Sequence, residues 1–188
     1  MINKKGNTML IVIAVIIAIV VLIAIWAVNA NNTLVQFEEE IKQNQAEIDN
    51  QLKRRADLIP NILSTVKGFA KQEQSIIDSI TASREKMTNG NTQDKLNANQ
   101  QLTRSINLVV ESYPEIKSNT AYLQLNDELA GTENRISVAN KRYNDGVAKY
   151  NKKLKTFPSS IIASMFGHTN ANYLQISEAD KTLPKIEF

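Results

Sequence analysis

The chain of 188 residues has no cysteine, one histidine, four prolines and six glycines. Without cysteine there is no disulfide, no thiolate metal site, no thiol nucleophile and no lipid-modified N-terminal cysteine. A lone His168 cannot build a multi-histidine metal centre, and the scattered glycines form no phosphate-cradling loop. Aromatic residues make up only 6%, and no segment alternates apolar and polar residues long enough to suggest a strand. These absences argue against an enzyme and against a β-rich fold. The length allows one domain and a little more.

What is present is, first, an uncharged run. Residues 9–28 read MLIVIAVIIAIVVLIAIWAV, which as a helix rises ~30 Å, the hydrocarbon thickness of a bilayer. A secretory signal is the rival reading, because Lys4 and Lys5 precede the run and Val28, Asn29 and Ala30 resemble a small-residue cleavage site. Signal cores span only about 7 to 15 residues, however, and this run ends in Trp26, a residue type suited to the membrane interface. A retained anchor through residues 9–28 is therefore expected, preceded by a short basic segment, 1–8. With basic residues held on the cytoplasmic side, Lys4 and Lys5 put the N-terminus inside. No Lys or Arg lies between Gly6 and Ile41, and Glu38, Glu39 and Glu40 come first beyond the run. The helical domain is accordingly expected outside. Setting aside Lys4 and Lys5, the remaining 20 basic and 19 acidic groups give a net charge of +1. The two signs are interspersed, which argues against a nucleic-acid partner.

Beyond the run, apolar residues recur at helical spacing over 33–87: Leu34, Phe37, Ile41, Ile48, Leu52, Ile59, Ile62, Val66, Phe69, Ile76, Ile80 and Met87. This predicts one amphipathic helix kinked at Pro60, with a hairpin there as the alternative. Thr88, Asn89, Gly90 and Asn91 form a turn, and Asn91 or Thr92 caps a second helix reaching about Tyr113, before Pro114, with Leu102, Ile106, Val109, Val110 and Tyr113 inward. A third helix starts near Asn119 or Thr120 and runs to about Phe157, before Pro158. Its four-three stripe of Leu125, Leu129, Thr132, Ile136, Ala139, Tyr143, Gly146 and Tyr150 suits coiled-coil-like packing. A short apolar piece, 160–166, precedes Gly167. The tail, 168–188, is polar and expected to be mobile. The predicted fold is all-α: a single transmembrane helix followed by an elongated antiparallel bundle of three to four helices over 31–167.

Three stretches resemble the LemA family of membrane-anchored bacterial proteins. Residues 51–61 read QLKRRADLIPN, followed by TVKG at 65–68; residues 129–136 read LAGTENRI, followed by RYN at 142–144; FPS stands at 157–159 and FG at 166–167. Their order and the apolar run ahead of them also match, and the resemblance covers roughly 33–167. It implies one N-terminal anchor and a helical bundle, brings no established catalytic residues, and links some members to membrane or organelle organisation.

The chemical candidates divide by how ordinary a role would explain them. Lys53, Arg54 and Arg55 are the densest basic run, able to meet an acidic polymer, yet Asp49 and Asp57 stand where helix-face ion pairs would form. Arg55 falls on the apolar stripe between Leu52 and Ile59 and needs a carboxylate if buried. Glu133, Asn134, Arg135, Arg142 and Asn144 surround the small residues Gly131 and Thr132; hydrogen bonds fixing helix register explain them better than a binding groove. Asp127, Glu128 and Glu133 do not form an acid–base pair on one helix face. His168 is expected in an exposed segment. No catalytic, cofactor or metal residue is assigned. The function expected is a non-enzymatic membrane protein serving interaction or scaffolding, with the lipid bilayer and unidentified proteins as partners and self-association allowed. The alternatives are a regulatory or adaptor subunit of a membrane enzyme such as a protease, and an envelope-polymer binder.

Overall fold

The computed structural model describes residues 4–69 and 74–175, with side-chain surroundings for 9–68 and 74–175. Helices follow in the order α1 (Lys4–Phe69), α2 (Gln74–Asn89), α3 (Thr92–Ser112), a 3-10 turn (Pro114–Ser118), α4 (Thr120–Lys155) and α5 (Ser159–Phe166). No strand occurs among the described residues. The chain is all-α.

The stretch predicted as one helix over 33–87 is described as α1 to Phe69 and α2 from Gln74, and these run in opposite directions, since α1 is parallel to α3 and α2 runs back against it. The reversal is not at Pro60, and the hairpin alternative there does not occur: α1 passes through the proline without interruption. Pro60 is exposed while Ile59 and Ile62 beside it are buried, so the ring faces away from the packed stripe. One turn later the hydroxyls of Ser64 and Thr65 both donate to the carbonyl of Asn61, at 2.8 and 3.1 Å. Phe69, expected on the stripe, lies outside the described side chains, as do Lys4 and Lys5.

The first part of α1 is long and apolar enough to cross a membrane, with a mean hydropathy of 3.5 over its best window and none of that window buried. The chain packs into two units, one of residues 1–41 and 146–172, the other of 42–145 and 173–188. In the second, α1, α2, α3 and the first part of α4 form an up-and-down bundle. Asp49 meets Thr92 and Lys95 at the start of α3 while Arg55 meets Thr103 further along, so α1 and α3 run parallel. Helix α2 runs back against α3, with the hydroxyls of Ser79 and Ser105 2.9 Å apart. Asn91 caps α3 by accepting the Asp94 N–H at 2.9 Å, and Asn119 accepts the Tyr122 N–H at 3.0 Å at the start of α4. Ile48, Leu52, Ile59, Ile62 and Val66 of α1 are buried in this unit, as are Ile80 and Met87 of α2, Leu102 and Val109 of α3 and Ile136 of α4. On α4 the predicted stripe is buried at Leu129, Thr132, Ile136, Ala139 and Tyr143, with Leu125 half-buried. On α3 the inward face also takes Leu96, Ala98 and Asn99, whereas Val110 and Tyr113 are only half-buried.

In the first unit Leu34 and Ile41 of α1 are buried, as are Val147, Tyr150 and Leu154 of α4 and Ile162 and Ala163 of α5. Helix α4 stops at Lys155, short of the predicted Phe157. Gly167 ends α5 at φ 74°, a left-handed conformation that a side chain would strain, and the next N–H, of His168, returns to the carbonyl of Ala163 at 2.9 Å. The predicted mobile tail is corrected over 168–175, which is pinned by hydrogen bonds described below. The rest of that prediction, 176–188, lies outside the described residues.

Candidate functional site

Two polar clusters and one open cleft hold the side chains with chemical potential. The first cluster lies in the bundle. Arg55, placed on the apolar stripe of α1 by helical spacing, is only 3% exposed and finds its carboxylate in Glu133 of α4, whose side chain is 46% exposed. Arg55 Nη2 donates to Thr103 Oγ1 at 2.9 Å, and Asn99 Nδ2 donates to Glu133 Oε2 at 3.0 Å. Burial pulls the guanidinium down to about 10 from its ordinary value, which leaves it charged at neutral pH. Arg55 Nε and Asn99 Oδ1 meet no partner among the described residues. The pair consumes both charges in tying three helices together.

The other basic-run residues behave differently. Lys53 and Arg54 are exposed, and Arg54 stands 3.6 Å from Glu128, both more than half exposed. With Arg55 turned inward, the run presents two charges outward, not three. Asp49, expected to pair with Lys53, instead accepts from Lys95 Nζ at 3.1 Å and from Thr92 Oγ1 at 3.2 and 3.3 Å. The candidates around Gly131 are likewise not drawn together. Asn134, Arg135 and Arg142 are exposed, and the Arg135 guanidinium lies over Gly131, 3.5 Å from where a Cβ would stand. Asp127, Glu128, Gly131 and Arg135 line only a shallow open surface with Gln124.

The second cluster contains the histidine. His168, expected in an exposed segment, has a side chain only 8% exposed. Its Nδ1 lies 2.7 Å from Glu38 Oε1 and its Nε2 lies 3.1 Å from Asn31 Oδ1. The Tyr150 hydroxyl also donates to Glu38 Oε1, and the tyrosine ring meets the imidazole edge-on. Burial, then the hydrogen bond to Glu38 and its charge, push the Tyr150 hydroxyl well above its usual range. Sequence reasoning missed this site because its partners are 112 to 137 residues apart. Nothing in local spacing connects them.

Beyond His168 the tail is held by amide side chains. Asn151 donates to the Ala171 carbonyl and accepts the Ala171 N–H, both at 2.9 Å. In the other unit Asn144 does the same for Leu174, at 2.9 and 3.0 Å, and Gln93 for Gln175, at 3.1 and 2.9 Å. Each amide closes a two-bond ring with one residue's backbone, as a neighbouring strand would. Asn144 was expected to set helix register and instead holds the tail.

The cleft lies between α2 and α3, encloses about 850 Å³ and is lined by Ser79, Ser83, Lys86, Asp94, Asn97 and Gln101 among others. Gly90 closes its end, where a Cβ would come within 2.9 Å of the Lys86 carbonyl. Among the described residues, no group of three or more His, Asp or Glu side chains converges as a metal site would require.

The chain is 25% identical over 160 residues to Protein LemA of Metamycoplasma hominis, a match that takes in 82% of this chain and 73% of the relative. The LemA family profile matches residues 44–188. That match begins later than residue 33 and continues past Gly167 to residue 188, so the tail belongs to the resemblance as well, beyond the 33–167 over which the three stretches carry it. With most of its length matched in this way, the chain belongs to the LemA family.

Proposed function

We propose that this chain is a non-enzymatic, single-pass protein of the bacterial cytoplasmic membrane, with its N-terminus inside and its packed helices outside, serving as an interaction or scaffolding module. The observation that carries the reading is the continuity of α1, in which one helix holds both the exposed apolar run and the buried stripe from Leu34 to Val66. A helix apolar all round needs a lipid surrounding, while one apolar along a stripe needs neighbouring helices. Lys4 and Lys5 on one side of the run, against Glu38, Glu39 and Glu40 on the other, support the orientation. The non-enzymatic part of the reading is supported by what the charged side chains do: Arg55 and Glu133 engage each other, and so do His168 and Glu38.

Two measurements test it. Protease added to intact protoplasts should digest the packed helices, and protection until the membrane is broken would reverse the orientation. For the interaction role, photo-crosslinking residues placed one at a time at Leu108, Leu123 and Val138, which are exposed apolar positions on α3 and α4, should yield discrete adducts in native membranes. Adducts with a second copy or with a structural protein support scaffolding. A stoichiometric enzyme in the adduct turns the reading to an adaptor subunit, and monomer alone at all three positions overturns it.

A further inference from the structure

A second apolar surface lies in the same unit as the N-terminal run. Helix α5 buries Ser159, Ile162 and Ala163 and turns Ile161 and Met165, one helical turn apart, outward at 53% and 73% exposure. Phe166 ends the helix 56% exposed, and Phe157 just before it is 78% exposed. Ile161 and Met165 thus share one exposed apolar face, and Phe157 and Phe166 add exposed rings before and at the end of the helix, a surface of the kind that marks a contact.

Its position identifies what covers it. The chain leaves α5 through Gly167, and His168 is fixed to Asn31 of α1 at 3.1 Å. Asn31 stands three residues past Val28, the last residue of the uncharged run, a rise of ~4.5 Å. Trp26, a side chain suited to the headgroup level, is closer still. The patch is thus hooked onto α1 where that helix would emerge from lipid. The basic groups of α4 lie on its last turns, while the acidic groups of the same unit, Glu38, Glu39 and Glu40, stand further along α1 from the uncharged run than Asn31 does. The last turns of α4 carry Lys149, Lys152, Lys153 and Lys155, and no Asp or Glu occurs between Asp145 and Glu178. Apolar side chains beside a block of lysines are the composition of a segment lying in an anionic membrane surface.

We propose that α5 is an interfacial helix. Ile161 and Met165, flanked by Phe157, enter the boundary between headgroups and acyl chains of the leaflet facing the domain, while the α4 lysines meet anionic headgroups. The inference rests on the reading that residues 9–28 span the bilayer, and it adds a second, peripheral contact to that anchor.

Tryptophan quenching by brominated acyl chains separates the two, because Trp26 is the sole tryptophan. The full chain is reconstituted into phosphatidylcholine vesicles, with and without phosphatidylglycerol. In the wild type, quenching of Trp26 reports the anchor. In a Trp26→Phe background, Met165→Trp should lose most of its emission to bromines near the headgroup end and shift to the blue, more strongly with phosphatidylglycerol. Ile161→Trp, on the same face, should report the same and guards against a local defect at either position. Leu108→Trp, on exposed α3, should stay unquenched. Quenched Trp26 with unquenched tryptophans at both α5 positions overturns the proposal and leaves the anchor standing. Unquenched signals at all positions overturn both. A blue shift without quenching means that protein covers the patch, a second copy or a partner, and also overturns it. Quenching indifferent to phosphatidylglycerol removes the role given to the lysines.

Discussion

Two stretches of α1 both bear large aliphatic side chains, the first almost without interruption and the second at helical spacing among polar residues, and they have opposite surroundings. Over residues 9–28 the large apolar side chains are 39–67% exposed; over 34–66 the stripe residues Leu34, Ile48, Leu52, Ile59 and Val66 are fully buried. Propensity does not distinguish them, since both are helical. What differs is how much of the helix surface is apolar, all of it in the first stretch and one stripe in the second. The packed stretch leaves its polar residues to water and gives one face to neighbouring helices, and the exposed stretch has no polar face to give. A helix of the second kind is stable in water only with something apolar around it, and that requirement carries the membrane reading.

The sharpest way to break the comparison is to truncate a leucine in each stretch. Leu52→Ala removes a side chain with no exposure and should cost on the order of 2 to 5 kcal/mol. Leu22→Ala, at a position 66% exposed, should leave the melting of the packed helices unchanged to within about 0.5 kcal/mol. Thermal melts of the detergent-solubilised chain followed by circular dichroism read both. Equal effects would mean that the two stretches share one environment. On α4, which faces the packed stretch, Ile136→Ala should again cost on the order of 2 to 5 kcal/mol, with Ile136 2% exposed. The exposed Lys149→Ala should change stability by no more than about 0.5 kcal/mol. The reverse outcome would put the wrong face of α4 in the core.

A smaller effect tests the one charge buried on the packed stretch. Glu133→Gln keeps the shape of the side chain and deprives Arg55 of its counter-charge. Breaking a fully buried pair costs about 3 to 5 kcal/mol; with Glu133 half open to water, about 1 to 3 kcal/mol is expected. Adding Arg55→Met should restore most of the loss, because an apolar side chain of similar length fits the stripe. If the double variant is as unstable as the single one, the penalty does not come from an unpaired guanidinium.

How far these sites were legible in the sequence follows from the range of their interactions. The apolar run, the caps at Asn91 and Asn119 and the α4 stripe are local patterns, and the structure places them as spacing predicts. Arg55 was legible in part: its register on the stripe demanded a carboxylate, but not which one. The reversal of direction from α1 to α2 was hidden, since the strongest helix breaker nearby is Pro60, which α1 tolerates by turning it outward. His168 was misplaced for a different reason. A polar tail with no periodicity looks unattached, and its attachments are to Glu38, Asn31, Asn151, Asn144 and Gln93, all distant in sequence. Amides that pair with backbone leave no hydrophobic signature.

The smallest expected effect concerns Glu38, at the foot of the packed stretch, through its partner Tyr150. Tyr150→Phe removes one hydrogen bond to the carboxylate and leaves that of His168, so at neutral pH it should cost about 1 kcal/mol. The pH dependence is the more specific reading. Burial, the hydrogen bond and the negative charge of Glu38 all raise the tyrosine above its unfolded value of about 10, because each favours the neutral hydroxyl. A group raised on folding contributes its stability in full below the unfolded value and loses it as pH climbs toward the folded one. Wild-type stability should therefore decline as pH rises above about 10. Burial raises Tyr122 and Tyr143 as well, so part of that decline belongs to them. The difference between wild type and Tyr150→Phe isolates the share of Tyr150: melted at about pH 8 the wild type should be the more stable, and by about pH 11 the gap should narrow. A gap that stays constant across that range would show that the Tyr150 hydroxyl does not face the Glu38 carboxylate in solution, and the anchoring of His168 at the same oxygen would lose its neighbour.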